Sequence, residues 1–377
     1  MNREGGEPHP GFTLVTRVLR KGDGQGRVNY EIAKEAVRRG VRVVAVSTEI
    51  APDLLDDPLV TWREVRTGRI PSNLLRELAF AARSKRLLRK RPPGPILSNG
   101  CATPVAADVN ACHFVHSSWL ASPVHPSRLV KGAAGAYQRL YSEVNARLER
   151  SAYSKAGLVV SVSEQVRREL AAAGIPAERI VTVTNGVDSD EFRPGPPDRP
   201  RFGLPEGVPL ALFAGDIRSP RKNLDAVLRA LPDAPGVHLA VAGWLESSPY
   251  PAMAAGLGIS DRVHFLGNVR EMPLLMRSCD LFAFPSRYEA CSLVMLEALA
   301  SGLPILTSRT TGGAELVPED GGFLMNDPDD VGAVVDALRR TGSRAELDAR
   351  SARSREAALP LRWDSMAAKY LKLLGVA

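Results

Sequence analysis

Short apolar runs alternate with amphipathic stretches of helical length along most of the chain. Phe12–Leu19 reads as a first strand, Arg27–Arg39 as a helix and Val41–Val46 as a second strand, the start of a doubly wound parallel sheet. Further strands are expected at Pro95–Ser98, Val105–Val115, Ala156–Val162 and Ile180–Val183, with helices at 135–153 and Gln165–Ala173. A second series opens at Pro209–Phe213 and continues through helix Leu224–Leu231 and strands Val237–Ala242, Val263–Gly267 and Asp280–Phe284. Ser292 is placed to cap a helix Leu293–Ser301, which Gly302 and Pro304 end. A strand at Ile305–Thr307, a helix at Ala314–Leu316 and an amphipathic helix Trp363–Leu374 complete an α/β pattern without repeats.

Composition sets the scale. A chain of 377 residues, 44% hydrophobic and 24% charged, is ordinary globular material for two domains, and the Pro-, Gly- and Asp-rich stretch 193–208 is the natural linker. No run of 18 apolar residues exists, and Met1–Gly6 lacks the apolar core of a signal peptide. Cys101, Cys112, Cys279 and Cys291 are scattered without metal-type spacing, as suits a reducing cytoplasm.

Charge is uneven. Residues 1–187 carry 28 basic against 17 acidic side chains, and residues 188–377 carry 21 against 25. Much of the excess lies in 76–91, where seven Lys and Arg face Glu77 alone and Leu74, Leu75, Leu78, Phe80, Leu87 and Leu88 interleave with them. This basic amphipathic helix reads either as a solvated face with Arg stems laid along the surface or as a peripheral contact with an anionic membrane. No aromatic stacking platform accompanies it, so nucleic acid is not expected.

Four groups of residues carry candidate chemistry. The loop Lys21-Gly22-Asp23-Gly24-Gln25-Gly26 falls between strand and helix, where glycines let the backbone approach a ligand; Arg27 stands where a dinucleotide fingerprint needs glycine, and a plain tight turn is the alternative. Cys112, His113 and His116 invite a metal, yet no fourth ligand is near; period two sets His113 and His116 on opposite faces of a strand. In Gly215-Asp216-Ile217-Arg218-Ser219-Pro220-Arg221-Lys222-Asn223, three cations precede a helix N-terminus, poor placement without an anion. Glu289 lies beyond a strand end and Glu297 on the helix that follows, where ligand hydroxyls could satisfy both carboxylates; a loop Glu in water and a helix Glu paired with a neighbouring Arg is the other reading.

Pro285-Ser286, Glu289, then Glu297-Ala298-Leu299-Ala300, Gly302, Pro304, Gly312-Gly313 and Glu315 resemble the signature of family 4 retaining glycosyltransferases. The resemblance departs at Ala290 and Cys291, where the family usually has glycine and an aromatic. It implies the GT-B fold: two Rossmann-like doubly wound domains facing across a cleft, the first acceptor-side domain at 1–192, the linker, a nucleotide-sugar-binding domain at 209–360, and 361–377 returning to the first domain. It implies a hexose moved with retention from an NDP-sugar to an acceptor hydroxyl, with no cofactor or metal required. Glu289 would contact the donor hexose and Glu297 the ribose hydroxyls. Lys222 and either Arg218 or Arg221, in the loop opened by Gly215, would hold the diphosphate with the Gly312 and Gly313 amides. Gly24 and Gly26 would approach donor or acceptor, Val269 would lie beside the base, and His113 or His116 would reach sugar or acceptor, His116 preferred as nearer the strand end. The alternatives are a sugar-nucleotide epimerase of the same fold and a non-catalytic nucleotide-sugar-binding protein. Location is expected to be cytoplasmic, with the basic helix at the inner membrane surface.

Overall fold

The computed structural model describes residues 11–90, 92 and 94–376. Met1–Gly6, expected to lack a signal-peptide core, and Arg91 of the basic stretch lie outside the described residues. The chain divides into two compact units. One comprises the described residues up to Ala121, then Pro126–Gly186, then the stretch from Trp363; the other comprises Ser122–His125 and Val187–Arg362.

In the first unit the strands are β1 (Gly11–Val15), β2 (Val18–Leu19), β3 (Arg42–Ser47), β4 (Glu49–Ile50), β5 (Val60–Glu64), β6 (Ile96–Asn99), β7 (Val109–Cys112), β8 (Leu158–Ser161) and β9 (Ile180–Thr182). Seven of them form a parallel sheet in the order β5-β3-β1-β6-β7-β8-β9. Burial on both faces explains why the inner strands read as apolar runs, whereas β5 at the edge is half polar. The single strand expected over Phe12–Leu19 is two: the chain leaves the sheet after Val15, and Val18–Leu19 pairs instead with Glu49–Ile50. At that exit Asn29 donates to Thr16 Oγ1 at 3.0 Å while Asn99 donates to Asn29 Oδ1 at 3.0 Å, a buried amide ladder fixing the first helix to the ends of β1 and β6.

That helix spans Gly24–Arg38, three residues earlier than expected, because Asp23 caps it by accepting from the Gly26 amide at 2.6 Å. The strand expected over Val105–Val115 contracts to β7. The C-terminal helix Trp363–Leu373 packs on Gly24–Arg38, and its Met366, Ala367, Tyr370 and Leu371 join Phe12, Leu14 and Ile32 in one core. Trp363 lies against that core under the Arg27 guanidinium, 5.2 Å from the ring centroid. Gly186 touches its backbone so closely that a Cβ there would fall 2.6 Å from the Trp363 Cα.

In the second unit β10 (Leu210–Ala214), β11 (His238–Ala242), β12 (Val263–Gly267), β13 (Leu281–Phe284), β14 (Ile305–Ser308) and β15 (Gly322–Met325) form a parallel sheet ordered β12-β11-β10-β13-β14-β15. The helix Leu293–Ala300 stops at Gly302, whose φ of +78° suits glycine. Ser292 occupies the cap position, yet its hydroxyl makes no capping bond. The helix expected at Ala314–Leu316 is a single 3₁₀ turn. Residues 193–208 are packed onto this unit: Arg199 pairs with Asp280 at 2.8 Å and donates to the carbonyls of Ser278, Pro205 and Val208.

Candidate active site

Strand order in the second sheet reverses between β10 and β13, and ligands in open parallel sheets bind beyond the carboxyl ends at such a point. The two loops leaving those strands bring Lys222 and Glu289 together, Nζ to Oε2 at 3.0 Å, with Arg221 Nη1 at 3.8 Å from the same oxygen. Lys222 and Glu289 side chains are each 14% exposed. Burial alone would raise the Glu289 carboxyl, but the charges of Lys222 and Arg221, with hydrogen bonds from Lys222 and the Ala290 amide, hold it below the usual carboxylate range. The Lys222 ammonium also sits 4.8 Å from the centre of the Phe284 ring.

Gly215 makes room for this lysine. Its φ is +150°, and a Cβ there would lie 2.5 Å from Lys222 Cδ. Arg218 does not join the cluster: its guanidinium is paired with Asp216 at 2.9 and 3.0 Å on the surface. Of the two arginines left open by the sequence, Arg221 is therefore the one beside Lys222 and Glu289.

Behind Glu289, Gly312 packs so tightly that a Cβ would fall 1.8 Å from the Ala290 carbonyl oxygen. The amides expected to face a diphosphate donate within the protein instead: Gly312 to the Glu289 carbonyl at 2.8 Å and Gly313 to Glu315 Oε2 at 3.1 Å. The loop carrying Glu289 and Ala290 lies directly against the glycine loop, which leaves the Gly312 amide pointing inward. Glu297 is half-buried in the second turn of Leu293–Ala300, and Val269 is half-buried in the loop after β12.

In the first unit, Gly24 is exposed with open space at its Cα, whereas Gly26 is buried against the Asp23 cap and Val18. The histidines are not on a strand, since β7 ends at Cys112, so opposite faces do not separate them. Both line a cavity of about 170 Å³ together with Arg17, Glu77, Asn99 and Cys101. His116 begins the helix His116–Ala121; its Nδ1 is 2.6 Å from Glu149 Oε1, and its amide donates to Glu149 Oε2 at 3.0 Å. His113 Nε2 is buried without a hydrogen-bond partner, and burial pushes the ring down from 6.5 to about 4.

Comparison with known proteins accounts for both units. Residues 22–191 match the family described as Glycosyltransferase Family 4, and residues 196–356 match Glycosyl transferases group 1. Both units thus match glycosyltransferase families. Curated relatives include the D-inositol 3-phosphate glycosyltransferases of Mycobacterium tuberculosis and Mycobacterium bovis, 34% identical over 239 residues. That match covers 58% of this chain and 49% of each relative, so the chain spans about half the length of the curated relatives it matches.

Solved structures agree on the architecture. WaaG, a glycosyltransferase involved in lipopolysaccharide biosynthesis, superimposes with a TM-score of 0.77 at 21% identity, covering 97% of this chain and 99% of that one. Sucrose-phosphate synthase from Thermosynechococcus elongatus gives 0.78 at 19%, covering 98% and 100%. HepE of Anabaena, solved with UDP and glucose, gives 0.69 at 18%, with the same coverage. The fold is GT-B, built of two Rossmann-like domains.

One residue of this site escaped sequence reasoning. Arg287, 9% exposed, grips Asp225 through two bonds of 2.9 and 2.6 Å and donates to Asp329 at 2.8 Å and to the Pro220 carbonyl at 2.7 Å. An arginine between a serine and a tyrosine carries no motif, and its carboxylate partners are 62 and 42 positions away.

Proposed function

We propose that this chain transfers a hexose from an NDP-sugar to an acceptor hydroxyl with retention at the anomeric carbon. The observation that carries the reading is the buried Lys222–Glu289 pair with Arg221, set at the switch point of the second sheet. As the glycosidic bond breaks, negative charge grows on the departing diphosphate, and two preorganised cations stabilise it where water is scarce. They supply that charge without a metal. Glu289 then binds donor hydroxyls and is not a nucleophile; the acceptor hydroxyl attacks on the face the diphosphate leaves, its proton passing to a phosphate oxygen. Glu297 holds the ribose, and His113 and His116 meet sugar or acceptor in their shared cavity. The match to glycosyl transferases supports sugar transfer, and the UDP and glucose bound to HepE support a nucleotide-sugar donor.

We also assign the helix Asn73–Leu87 to contact with an anionic membrane, from the cytoplasmic side. Its Arg83, Lys85 and Arg86 are exposed, as are Leu75 at 56% and Leu78 at 36%, so charge and apolar surface are presented together. Among the described residues no helix is long and apolar enough to cross a membrane.

The test is a thermal-shift screen against NDP-sugars followed by product analysis. One donor should raise Tm, and in the presence of an acceptor it should yield NDP and a product retaining the donor's anomeric configuration. An epimerised sugar nucleotide formed without acceptor, or binding without turnover, would replace this reading by an epimerase or a binding module.

A further inference from the structure

We infer that Arg287 is a positioning residue that sets where the Lys222 ammonium stands, acting through the turn that carries it. The inference rests on the reading of Lys222 as the cation of the reacting diphosphate.

Three loops leave the carboxyl ends of β10, β13 and β15, and one guanidinium ties them. Arg287 belongs to the second loop. Its fork holds Asp225, in the first turn of the helix Leu224–Ala230, while its Nε reaches Asp329 in the third loop. Its Nη1 donates to the Pro220 carbonyl at 2.7 Å, and its backbone amide to the Arg221 carbonyl at 2.9 Å. Ser286 Oγ adds a bond to the same Arg221 carbonyl at 3.2 Å. The 3₁₀ turn Pro220–Lys222 is thus held at two consecutive carbonyls by residues 286 and 287.

The far side of the turn is fixed as well. Asn223 adopts φ +64°, caps the following helix at Ala226, and donates to the Pro328 carbonyl beside Asp329. Lys222 lies between these anchors. A side chain of four methylenes is flexible, so a defined Nζ position requires a fixed backbone at its base. A lysine at position 287 would keep the charge but lose the planar fork that reaches two carboxylates and a carbonyl at once.

The experiment compares Arg287→Gln, Arg287→Lys and Asp329→Asn with Arg199→Gln, which breaks a buried ion pair at the opposite, amino edge of the same sheet. Steady-state turnover with the donor found by screening, Tm, and hydrogen exchange of peptides spanning 219–224 are measured on each. Arg287→Gln should lower kcat at least tenfold with donor KM within about threefold, and Arg287→Lys should restore only part of it. Asp329, half exposed, can be neutralised without threatening the fold, and Asp329→Asn should lower kcat about threefold. Arg199→Gln should lose Tm yet keep kcat below its melting range. Exchange at 219–224 should quicken in the Arg287 variants and not in Arg199→Gln, a readout independent of turnover. A kcat within twofold of wild type for Arg287→Gln, or for Asp329→Asn if the former does not fold, overturns the inference. So does unchanged exchange at 219–224. Wild-type protein that turns over no NDP-sugar while exchange still responds would overturn the proposed function and leave the positioning of Lys222 standing.

Discussion

Lys222 Cδ and Cε lie 2.5 and 2.9 Å from the point that a Cβ on residue 215 would occupy. The lysine therefore runs through space that only glycine leaves open. Gly215→Ala should drive the ammonium away from Glu289 and lower kcat by about 10- to 100-fold, since one misplaced electrostatic donor has effects of that order. Because the alanine also meets an unfavourable backbone conformation, Tm should fall, by the equivalent of about 1–3 kcal/mol. Full activity with a displaced melting curve would show that Lys222 tolerates relocation.

Lys222→Ala removes the charge itself. If the ammonium acts on the departing diphosphate, kcat should fall by about 10²–10³ while donor binding weakens far less. Equal losses in kcat and donor affinity, measured by single-turnover kinetics and calorimetry, would reduce its role to uniform binding.

Glu297→Ala should weaken free nucleoside diphosphate by roughly tenfold, the loss of about one charge-assisted hydrogen-bond pair. Titration calorimetry without any sugar isolates this contact. Unchanged affinity would move the ribose elsewhere.

His113 links stability to pH. Its folded value of about 4 is below the ordinary 6.5, so between those values the unfolded chain binds the extra proton. Stability should therefore rise with pH across that window and be lost as pH falls through it, by up to about 3 kcal/mol for a shift of this size. Denaturant unfolding at pH 5 and pH 7.5 should show the loss in wild type and a flatter profile in His113→Gln. Identical profiles would mean the ring is hydrated in the native state.

On vesicles, replacing Arg83, Lys85 and Arg86 with Glu should abolish co-sedimentation with anionic lipid, since each basic residue near such a surface contributes about 1 kcal/mol. Wild-type binding that ignores the anionic fraction would end the membrane assignment.

What the sequence disclosed and what it hid follow from locality. β10 and β13 were legible because buried parallel strands are uninterrupted apolar runs; all five residues of Leu210–Ala214 and all four of Leu281–Phe284 are buried. β5 was not, because Val-Thr-Trp-Arg-Glu is a half-polar edge strand. Lys222 and Glu289 were legible as members of ordered motifs, and their convergence follows from parallel topology. The choice of Arg221 over Arg218 was not, because it depends on Asp216 capturing the nearer guanidinium. His113 was misread through strand periodicity, which lapses where β7 ends one residue before it.

The first unit is completed by a segment that follows the whole of the second unit in the chain. Met366, Ala367, Tyr370 and Leu371 pack over Gly24–Arg38 and close the core on that side. During synthesis all of Val187–Arg362 must therefore emerge, and is free to fold, while the leading half still waits with an open apolar face. Translation arrested before Trp363 should leave a nascent chain that chaperones retain.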